Sequence, residues 1–219
     1  MNIINASHEI LFMPESAMIL KHIELAGRTC YKSENAITED SANTFVKMLL
    51  KSGHHSVIEH IAITVRFICD RGISHELVRH RIASFSQEST RYANYSKAKF
   101  GQEITVIKPC FWEENSPEYT IWKKAMQEAE TNYMTLIQQG VRAEQARSVL
   151  PNSLKTEVIM TCNIREWRHV LQLRCDVAAH PQMREIMLPL LNELNSRLPA
   201  LFNDLFDQFY SHKEVDIRL

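Results

Sequence analysis

Long apolar runs are missing from this sequence, and glycine is scarce, with five in 219 residues. No apolar stretch approaches the roughly 18 residues that a membrane-spanning helix needs, so no membrane contact is expected. The first residues lack the basic and apolar segments of a secretory signal, which favours a cytoplasmic location. Flexible linkers and internal repeats are also missing, so the length predicts a single domain over residues 1–219.

An excess of either charge is missing as well, because 25 Lys and Arg residues balance 26 Asp and Glu residues. A general nucleic-acid-binding protein usually carries a large positive excess, so no nucleic-acid partner is expected and any anion site must be local. The five cysteines lie far apart and form no CxxC pair. This pattern is typical of reduced thiols in a cytoplasmic protein.

Local patterns predict a helix-rich α+β domain with a small mixed or antiparallel sheet, because the elements do not alternate as regular βαβ units. The predicted N-caps are Thr38, Ser74, Ser116 and Asn163. They open helices over residues 39–52, 75–81, 116–140 and 163–174, and two further helices cover 142–150 and 181–209, the last broken near Pro189 or Pro199. Alternating apolar residues predict strands over 61–70, 104–107 and 154–162, while 82–100 is predicted to be mainly loop.

A dense cationic stretch covers residues 79–92 and reads RHRIASFSQESTRY. Arginine offers a planar, permanently charged fork that matches phosphate oxygens, and hydroxyl groups with loop amides can complete a phosphate cradle. Two cationic clusters separated by a polar loop can therefore hold two anionic ligands, or two ends of one. A solvated, salt-bridged surface loop is the alternative, because charge runs often lie at the surface.

A second stretch, residues 53–60, reads GHHSVIEH and is rich in side chains that can bind metals. The inverted metalloprotease pattern HxxEH does not fit, because the spacing from His55 to Glu59 and His60 is one residue too long. No separate acidic residue lies at a spacing typical of a third metal ligand, so we predict no metal site. The structural alternative is a histidine-rich helix start packed under the next strand.

Arginines recur in two later segments that are predicted as helices. Arg147 lies in the first, where an i,i+3 ion pair on a surface helix is the alternative to ligand binding. In the second, Arg165 and His169 are four residues apart and share a helix face, while Asn163 at the helix start leaves backbone amides free for an anion. An amphipathic core helix anchored by its tryptophan is the alternative there.

Together these segments resemble the flavin-dependent thymidylate synthases. The matching elements are Arg79-His80-Arg81 followed after seven residues by Ser89, the pair Arg91-Tyr92, and the elements Gly53-His54 and Glu59-His60. The resemblance implies that family's fold and its reaction, the reductive methylation of dUMP at C5 to dTMP. It also implies FAD as the flavin, 5,10-methylenetetrahydrofolate as the carbon donor, and NADPH as the reductant.

The resemblance further implies three groups of site residues. The flavin would contact Ser56, Arg79, His80, Arg81, Gln87, Asn163, Arg165 and His169. The substrate dUMP would contact Glu76, Arg79, Gln87, Glu88, Ser89, Thr90, Arg91, Arg147 and Arg174. The flavin and folate side of the pocket would be lined by His54 and Glu59. His180 lies past the last matched segment and receives no role.

Catalysis is assigned to Arg174 by the same resemblance, which places this arginine against the pyrimidine ring. A positive group near N3 and its neighbouring carbonyl stabilises the negative charge that develops there. Classical thymidylate synthases instead add a cysteine to C6 of uracil, and Cys110 looks superficially like such a nucleophile. Because Cys110 lies outside every matched element, we predict no catalytic role for it.

Assembly and two competing functions complete the expectations. The resemblance implies a homotetramer in which residues 87–91 reach a nucleotide held mainly by a neighbouring subunit. A nucleotide- or RNA-binding module would need only the cationic stretch, although the near-neutral net charge weighs against it. A metal-dependent hydrolase would instead use residues 54–60.

Overall fold

The structure, a computed structural model, describes residues 1–98 and 101–210. The strands are β1 (Asn2–Ile4), β2 (Ser7–Phe12), β3 (Ala62–Asp70), β4 (Ser84–Gln87), β5 (Thr105–Ile107) and β6 (Lys155–Asn163). The helices are α1 (Ser16–Tyr31), α2 (Ser41–Lys51), α3 (Arg71–Leu77), α4 (Pro117–Gln138), α5 (Ala143–Ala146), α6 (Ile164–Arg174), α7 (Pro181–Arg197) and α8 (Pro199–Tyr210). Short 3-10 helices cover Glu34–Ala36, His55–His60 and Arg147–Val149. In the described ranges, no helix combines the length and apolarity needed to cross a bilayer.

The main sheet has the strand order β2-β3-β6-β4, and its neighbouring strands are antiparallel. The strands β3 and β6 pair along their whole length, from Ala62 opposite Asn163 to Asp70 opposite Lys155. Side chains alternate between the two faces of a strand, so one face of this pair is buried and, apart from Thr156, apolar. The other face carries polar side chains and Ile159, which is 37% exposed.

Helices α1, α2, α6, α7 and α8 cover the apolar face of the main sheet and form the larger hydrophobic core. Trp167 of α6 lies at its centre, where it is fully buried and its ring lies 6.3 Å from that of Phe67. Its indole N–H donates to the backbone oxygen of Ile63 at 3.0 Å. This bond fixes α6 against β3 and therefore fixes the side chains that α6 presents on its outer face.

A smaller core lies beside the first and packs α4 against a two-stranded parallel sheet formed by β1 and β5. Tyr133 of α4 is fully buried there, and the indole of Trp122 donates to the hydroxyl of Ser153 at 3.0 Å. An isolated bridge between Val106 and Leu154 links this sheet to the chain entering β6. The helix-rich α+β expectation is therefore confirmed, with one parallel and one antiparallel sheet.

Predictions that rest on a strong local pattern are confirmed. Ser116 caps α4 by accepting a hydrogen bond from the backbone N–H of Tyr119 at 3.1 Å. Asn163 caps α6 in the same way through the N–H of Glu166 at 2.9 Å. The alternating segments predicted as strands form β3, β5 and β6 within one or two residues of their predicted ends.

Other boundaries are wrong for identifiable reasons. Ser74 lies inside α3, because Asp70 four residues earlier accepts the N–H of Ile73 at 2.7 Å and starts the helix there. Thr38 is not the cap of α2, since the hydroxyl of Ser41 bonds both the N–H and the carbonyl of Thr38 and closes a turn before the helix. The long final helix, by contrast, breaks at Leu198 beside Pro199, which confirms one of the two predicted break points, while Pro189 is tolerated within α7.

The segment predicted as loop over residues 82–100 contains the strand β4. Phe85 is the single large apolar residue of β4, so the alternation of apolar and polar residues is too weak to indicate a strand. Pairing with β6 decides the conformation. The last two residues of that segment, Lys99 and Phe100, lie outside the described residues.

Removing the indole that joins α6 to β3 tests this account of the core. Trp167→Ala should lower the free energy of unfolding by about 3–5 kcal/mol, the usual cost of deleting a buried aromatic side chain. Ile121→Ala is the control, because Ile121 is 72% exposed and its truncation should change stability by less than about 0.5 kcal/mol. Urea unfolding followed by circular dichroism measures both, and equal losses would contradict the account.

Candidate active site

One cavity collects most of the residues that the sequence assigned to a flavin. Its volume is about 670 Å³. It lies between the 3-10 helix His55–His60, the turn after α3, and the outer face of α6. The lining residues are Glu59, Arg79, His80, Arg81, Ile82, Asn163, Arg165, Glu166, His169, Leu173 and Arg174. We call it the cationic cavity, because four arginines border it.

The entrance of the cationic cavity is shaped by the start of α6. Arg165 is exposed and forms an ion pair with Glu59, across from it on the 3-10 helix. Two amides expected to be free for an anion are already engaged, since the N–H of Ile164 donates to Ile61 and that of Glu166 donates to Asn163. Fewer free backbone N–H groups therefore remain for an anion at this helix start than the sequence suggested. Arginine side chains supply most of the positive charge there.

Arg174, at the end of α6, is held by three hydrogen bonds. Its Nε donates to Nε2 of His80 at 3.0 Å, its Nη1 donates to a carboxylate oxygen of Glu76 at 2.9 Å, and its Nη2 donates to the Glu76 carbonyl at 3.2 Å. A guanidinium has five N–H groups, so two remain for a ligand. Arg174 is thus a positioned cation with donors to spare.

His80 lies beneath Arg174 and is almost fully buried, with 5% of its surface exposed. Burial, followed by the nearby charge of Arg174, lowers the pKa of His80 to about 4. The imidazole is therefore neutral at physiological pH, and its Nε2 is free to accept from Arg174. The ring of His169 meets it edge-on at 6.1 Å between centroids.

Ligand-type atoms of His80, Glu166 and His169 lie within 4.8 Å of one another, which makes these three side chains a candidate metal site. A divalent cation at this point would face the guanidinium of Arg174, which already occupies Nε2 of His80. Both His80 nitrogens would then have to act as acceptors, which a neutral imidazole cannot provide. The arrangement favours anionic or neutral ligands over a metal.

The arginines at the mouth of the cationic cavity are open to ligands. Within the described residues, the side chains of Arg79 and Arg81 form neither a hydrogen bond nor an ion pair, and both are exposed. Two unengaged guanidinium groups beside Arg165 offer forked donors suited to a pyrophosphate. The residues present therefore fit the phosphate part of a flavin dinucleotide, and the exposed side chains of Ile82 and Leu173 offer apolar surface beside them.

A second cavity, of about 760 Å³, lies against β4, β6 and the turn that follows β4. Gln87, Glu88 and Ser89 line it, and these are three of the residues for which the resemblance implies nucleotide contacts. Beyond it, Arg147 donates from Nη1 to the buried hydroxyl of Thr90 at 3.2 Å. One group of predicted substrate residues is therefore assembled, but it lies in a different cavity from Arg174.

Side chains lining the second cavity also bond within the protein. The amide of Gln87 donates to the hydroxyls of Ser74 and Thr156, at 2.9 and 3.3 Å. Glu88 accepts from Lys155 at 3.1 Å and from the hydroxyl of Tyr95 at 3.2 Å. These hydrogen bonds fix the position of the end of β4 relative to β6 and α3.

Six predicted residues are not among the lining residues of either cavity: Thr90 and Arg147 pair beyond the second cavity, Glu76 bonds to Arg174, and His54, Ser56 and Arg91 stand apart. His54 and Ser56 are exposed, and among the described lining residues neither appears. Arg91 is exposed and its guanidinium lies 5.6 Å from the ring centroid of Tyr92, which is itself 79% exposed. Contacts of His54, Ser56 and Arg91 with a flavin, folate or nucleotide would therefore need a ligand that extends beyond the two cavities, or a second subunit.

The sequence analysis missed several lining residues. Glu166 is only 7% exposed and faces the cationic cavity from the buried side of α6. Its three-residue spacing from His169 could have indicated a shared helix face. Lys155 and Tyr95 reach the second cavity through β6 and the turn after β4. Their positions depend on strand pairing, for which the sequence held no local signal.

The fold and the two cavities define an α+β protein with an arginine-bordered cleft for anionic ligands. Comparison with known proteins agrees, because the family model described as thymidylate synthase complementing protein matches residues 16–200. The chain therefore belongs to that family.

Individual relatives agree with the family match. The chain is 33% identical over 198 residues to the flavin-dependent thymidylate synthase of Geobacter sulfurreducens, covering 87% of this chain and 82% of the relative. It is 35% identical over 172 residues to the protein of that name from Pyrococcus furiosus, covering 78% and 70%. The one from Pyrococcus abyssi is 34% identical over 167 residues, covering 76% and 68%.

The lowered pKa of His80 predicts a specific pH dependence of stability. The unfolded chain protonates this residue near pH 6.5 and the folded chain near pH 4, so the unfolded state gains protons first as the pH falls. Stability should therefore decline between these values by up to about 3 kcal/mol relative to His80→Asn, whose amide oxygen can still accept from Arg174. Urea unfolding at pH 7.5 and 4.5 measures the difference, and parallel losses in both proteins would contradict it.

Proposed function

We propose that this chain is a flavin-dependent thymidylate synthase that methylates C5 of dUMP to give dTMP. FAD is the cofactor, while 5,10-methylenetetrahydrofolate and NADPH are co-substrates. Family membership supports this function, and one geometric observation carries the mechanism. That observation is a guanidinium, on Arg174, fixed by three hydrogen bonds and bordering a cavity with two donors left over.

The cationic cavity is proposed to hold the flavin. Arg79, Arg81 and Arg165 would bind its phosphates, His80 and His169 would pack beside it, and Asn163 would contact it from the start of α6. When bound and reduced by NADPH, the flavin supplies the hydride that completes the methyl group. Ser56 and His54 lie outside both cavities and Gln87 lines the second one, so their proposed contacts would be with parts of the flavin or folate that extend beyond the cationic cavity or come from a second subunit. Glu59 would open its pair with Arg165 as ligands enter.

Arg174 is the proposed catalytic residue. It would place its remaining N–H groups against N3 and the adjoining carbonyl of uracil, where negative charge develops as C5 becomes electron-rich. A preorganised donor of this kind is worth about 3 kcal/mol in a site that excludes water. Glu76 and His80 would keep the guanidinium from following the ligand, so little reorganisation is needed during the reaction.

The remaining predicted substrate residues are proposed to bind the nucleotide away from the ring. Ser89, Thr90, Arg91 and Arg147 offer two hydroxyls and two guanidinium groups suited to a phosphate. Ser89 would act as a ligand contact. Glu88 would accept from the sugar or base after exchanging its bond with Tyr95.

We also propose a cytoplasmic homotetramer of single-domain subunits with shared active sites. Two observations support sharing. Ser89, at the start of the turn after β4, lines a different cavity from Arg174, and the outer face of the main sheet exposes Ile159 in the same cavity as Ser89. A neighbour packed on this face would bring one subunit's turn toward another's Arg174.

Two substitutions test the mechanism. Arg174→Ala should reduce dTMP formation by at least about a hundredfold, as loss of one preorganised donor does, while FAD stays bound. Cys110→Ala should retain activity, because burial and the neighbouring Glu185 raise the pKa of the Cys110 thiol to about 12 and leave it protonated. A fully active Arg174→Ala protein together with an inactive Cys110→Ala protein would overturn the mechanism.

Subunit complementation tests the shared sites. Arg174→Ala and Arg91→Ala should each be inactive alone, but co-expressed mixed tetramers should recover about a quarter of the wild-type activity, because random mixing gives that fraction of intact sites. Differently tagged chains allow the mixed tetramers to be purified, and light scattering gives their mass. Activity in a monomer, or no recovery on mixing, would rule out shared sites.

A further inference from the structure

Glu166 is a buried carboxylate that the proposed mechanism leaves unused. It lies on the cavity side of α6, with 7% of its surface exposed. Among the described residues, the one ion-pair contact of its side chain is with Nδ1 of His80, at 3.6 Å. Burial raises the pKa of Glu166, and the nearby His169 offsets this rise only in part. Burying such a carboxylate disfavours folding, so stability does not explain its presence.

The hydrogen bond between His80 and Arg174 determines which nitrogen of His80 carries the proton. Arg174 donates from Nε at 3.0 Å, so Nε2 of His80 must act as the acceptor. In a neutral imidazole the proton then lies on Nδ1. The pKa of about 4 for His80 is consistent with this neutral form.

The Nδ1 atom of His80 faces the carboxylate of Glu166. At 3.6 Å the two atoms are beyond hydrogen-bond length, but a negative charge at this distance in a buried site favours the tautomer with the proton on Nδ1. It also makes Nε2 a stronger acceptor, as carboxylates do for histidines that bind metals. Glu166, His80 and Arg174 thus form a chain of negative, neutral and positive groups.

We propose that Glu166 is a positioning residue that acts through His80 to hold the guanidinium of Arg174 in place for the pyrimidine ring. This role rests on the proposed function, because it assigns Glu166 a part in the same site. Without the carboxylate, the bond from Arg174 alone would favour the proton on Nδ1, so the opposite tautomer, whose Nε2–H faces the Nε–H of Arg174 as donor against donor, would become more populated. Arg174 would then leave His80 and lose its preset orientation.

A double-mutant cycle on the FAD-loaded protein tests the chain of contacts. Glu166→Ala should raise the Kd for dUMP roughly tenfold, within the range of couplings measured between hydrogen-bonded neighbours. In an Arg174→Lys background the same change should alter Kd less than about twofold, because the contact it supports is already lost. Flavin absorbance changes on adding dUMP report Kd.

Three further variants distinguish a loss of Arg174 positioning from a general loss of protein stability. Glu166→Gln should stay within about threefold of wild type, since its amide oxygen can face the Nδ1 proton. Glu166→Met keeps the side-chain volume and replaces Glu166→Ala in the cycle if the smaller side chain prevents folding. Glu24→Ala removes another buried carboxylate, 1% exposed and paired with Arg28, and should lower stability without changing Kd.

Crystal structures of the FAD-loaded wild type and Glu166→Ala protein complete the test. We expect Arg174 to keep its bond to His80 in the first and lose it in the second. An unmoved Arg174, or equal effects on Kd in both backgrounds, would overturn the proposal. If the wild type makes no dTMP, the proposed function fails, yet the two crystal structures still decide whether Glu166 positions Arg174.

Discussion

The pairing of β3 with β6 is the constraint on which the site depends. At one end the register sets Ala62 opposite Asn163, so the 3-10 helix before β3 meets the start of α6. This brings Glu59 to Arg165 across 106 positions of sequence. At the other end, Asp70 opposite Lys155 places α3 beside the strand that feeds the second cavity.

Because α6 follows β6 directly, the same pairing also sets where α6 ends. Trp167 anchors the helix against β3, and Arg174 then meets Glu76 in α3 and His80 in the turn after it. A cation held in this way by two elements has little freedom to move. Preorganisation of this kind lowers the cost of stabilising charge in a transition state.

One cavity bordered by four arginines explains how a nearly neutral protein can bind anions. The predicted nucleotide contacts Gln87, Glu88 and Ser89 form a second group, which lines the other cavity. The separation of the two groups fits a site assembled between subunits. It also explains why several predicted contact residues bond within the chain or lie exposed.

The sequence was sufficient wherever a short segment carries its own signal. The caps of α4 and α6 depend on Ser116 and Asn163 alone, and the alternation of β3 identifies its buried face. Arg79, His80 and Arg81 of the family motif lie together at the cationic cavity, whereas Ser89 of the same motif lines the other cavity. Strand β4 could not be predicted, because Phe85 is its one large apolar residue and pairing with β6 decides its conformation.

Contacts between segments that lie far apart in the sequence could not be predicted either. Nothing in the spacing of His80, Glu166 and Arg174 shows that they meet, since 94 positions separate the first and last. Glu166 looked like an ordinary residue of an amphipathic helix. Only the packing of α6 on β3 turns it toward His80.

An anaerobic single-turnover measurement tests the central claim most directly. Purified protein should show oxidised-flavin absorbance that bleaches with NADPH, and adding dUMP with methylenetetrahydrofolate should restore it while forming one dTMP for each flavin reoxidised. Protein that binds no flavin, or reoxidation of the flavin without dTMP, would contradict the account.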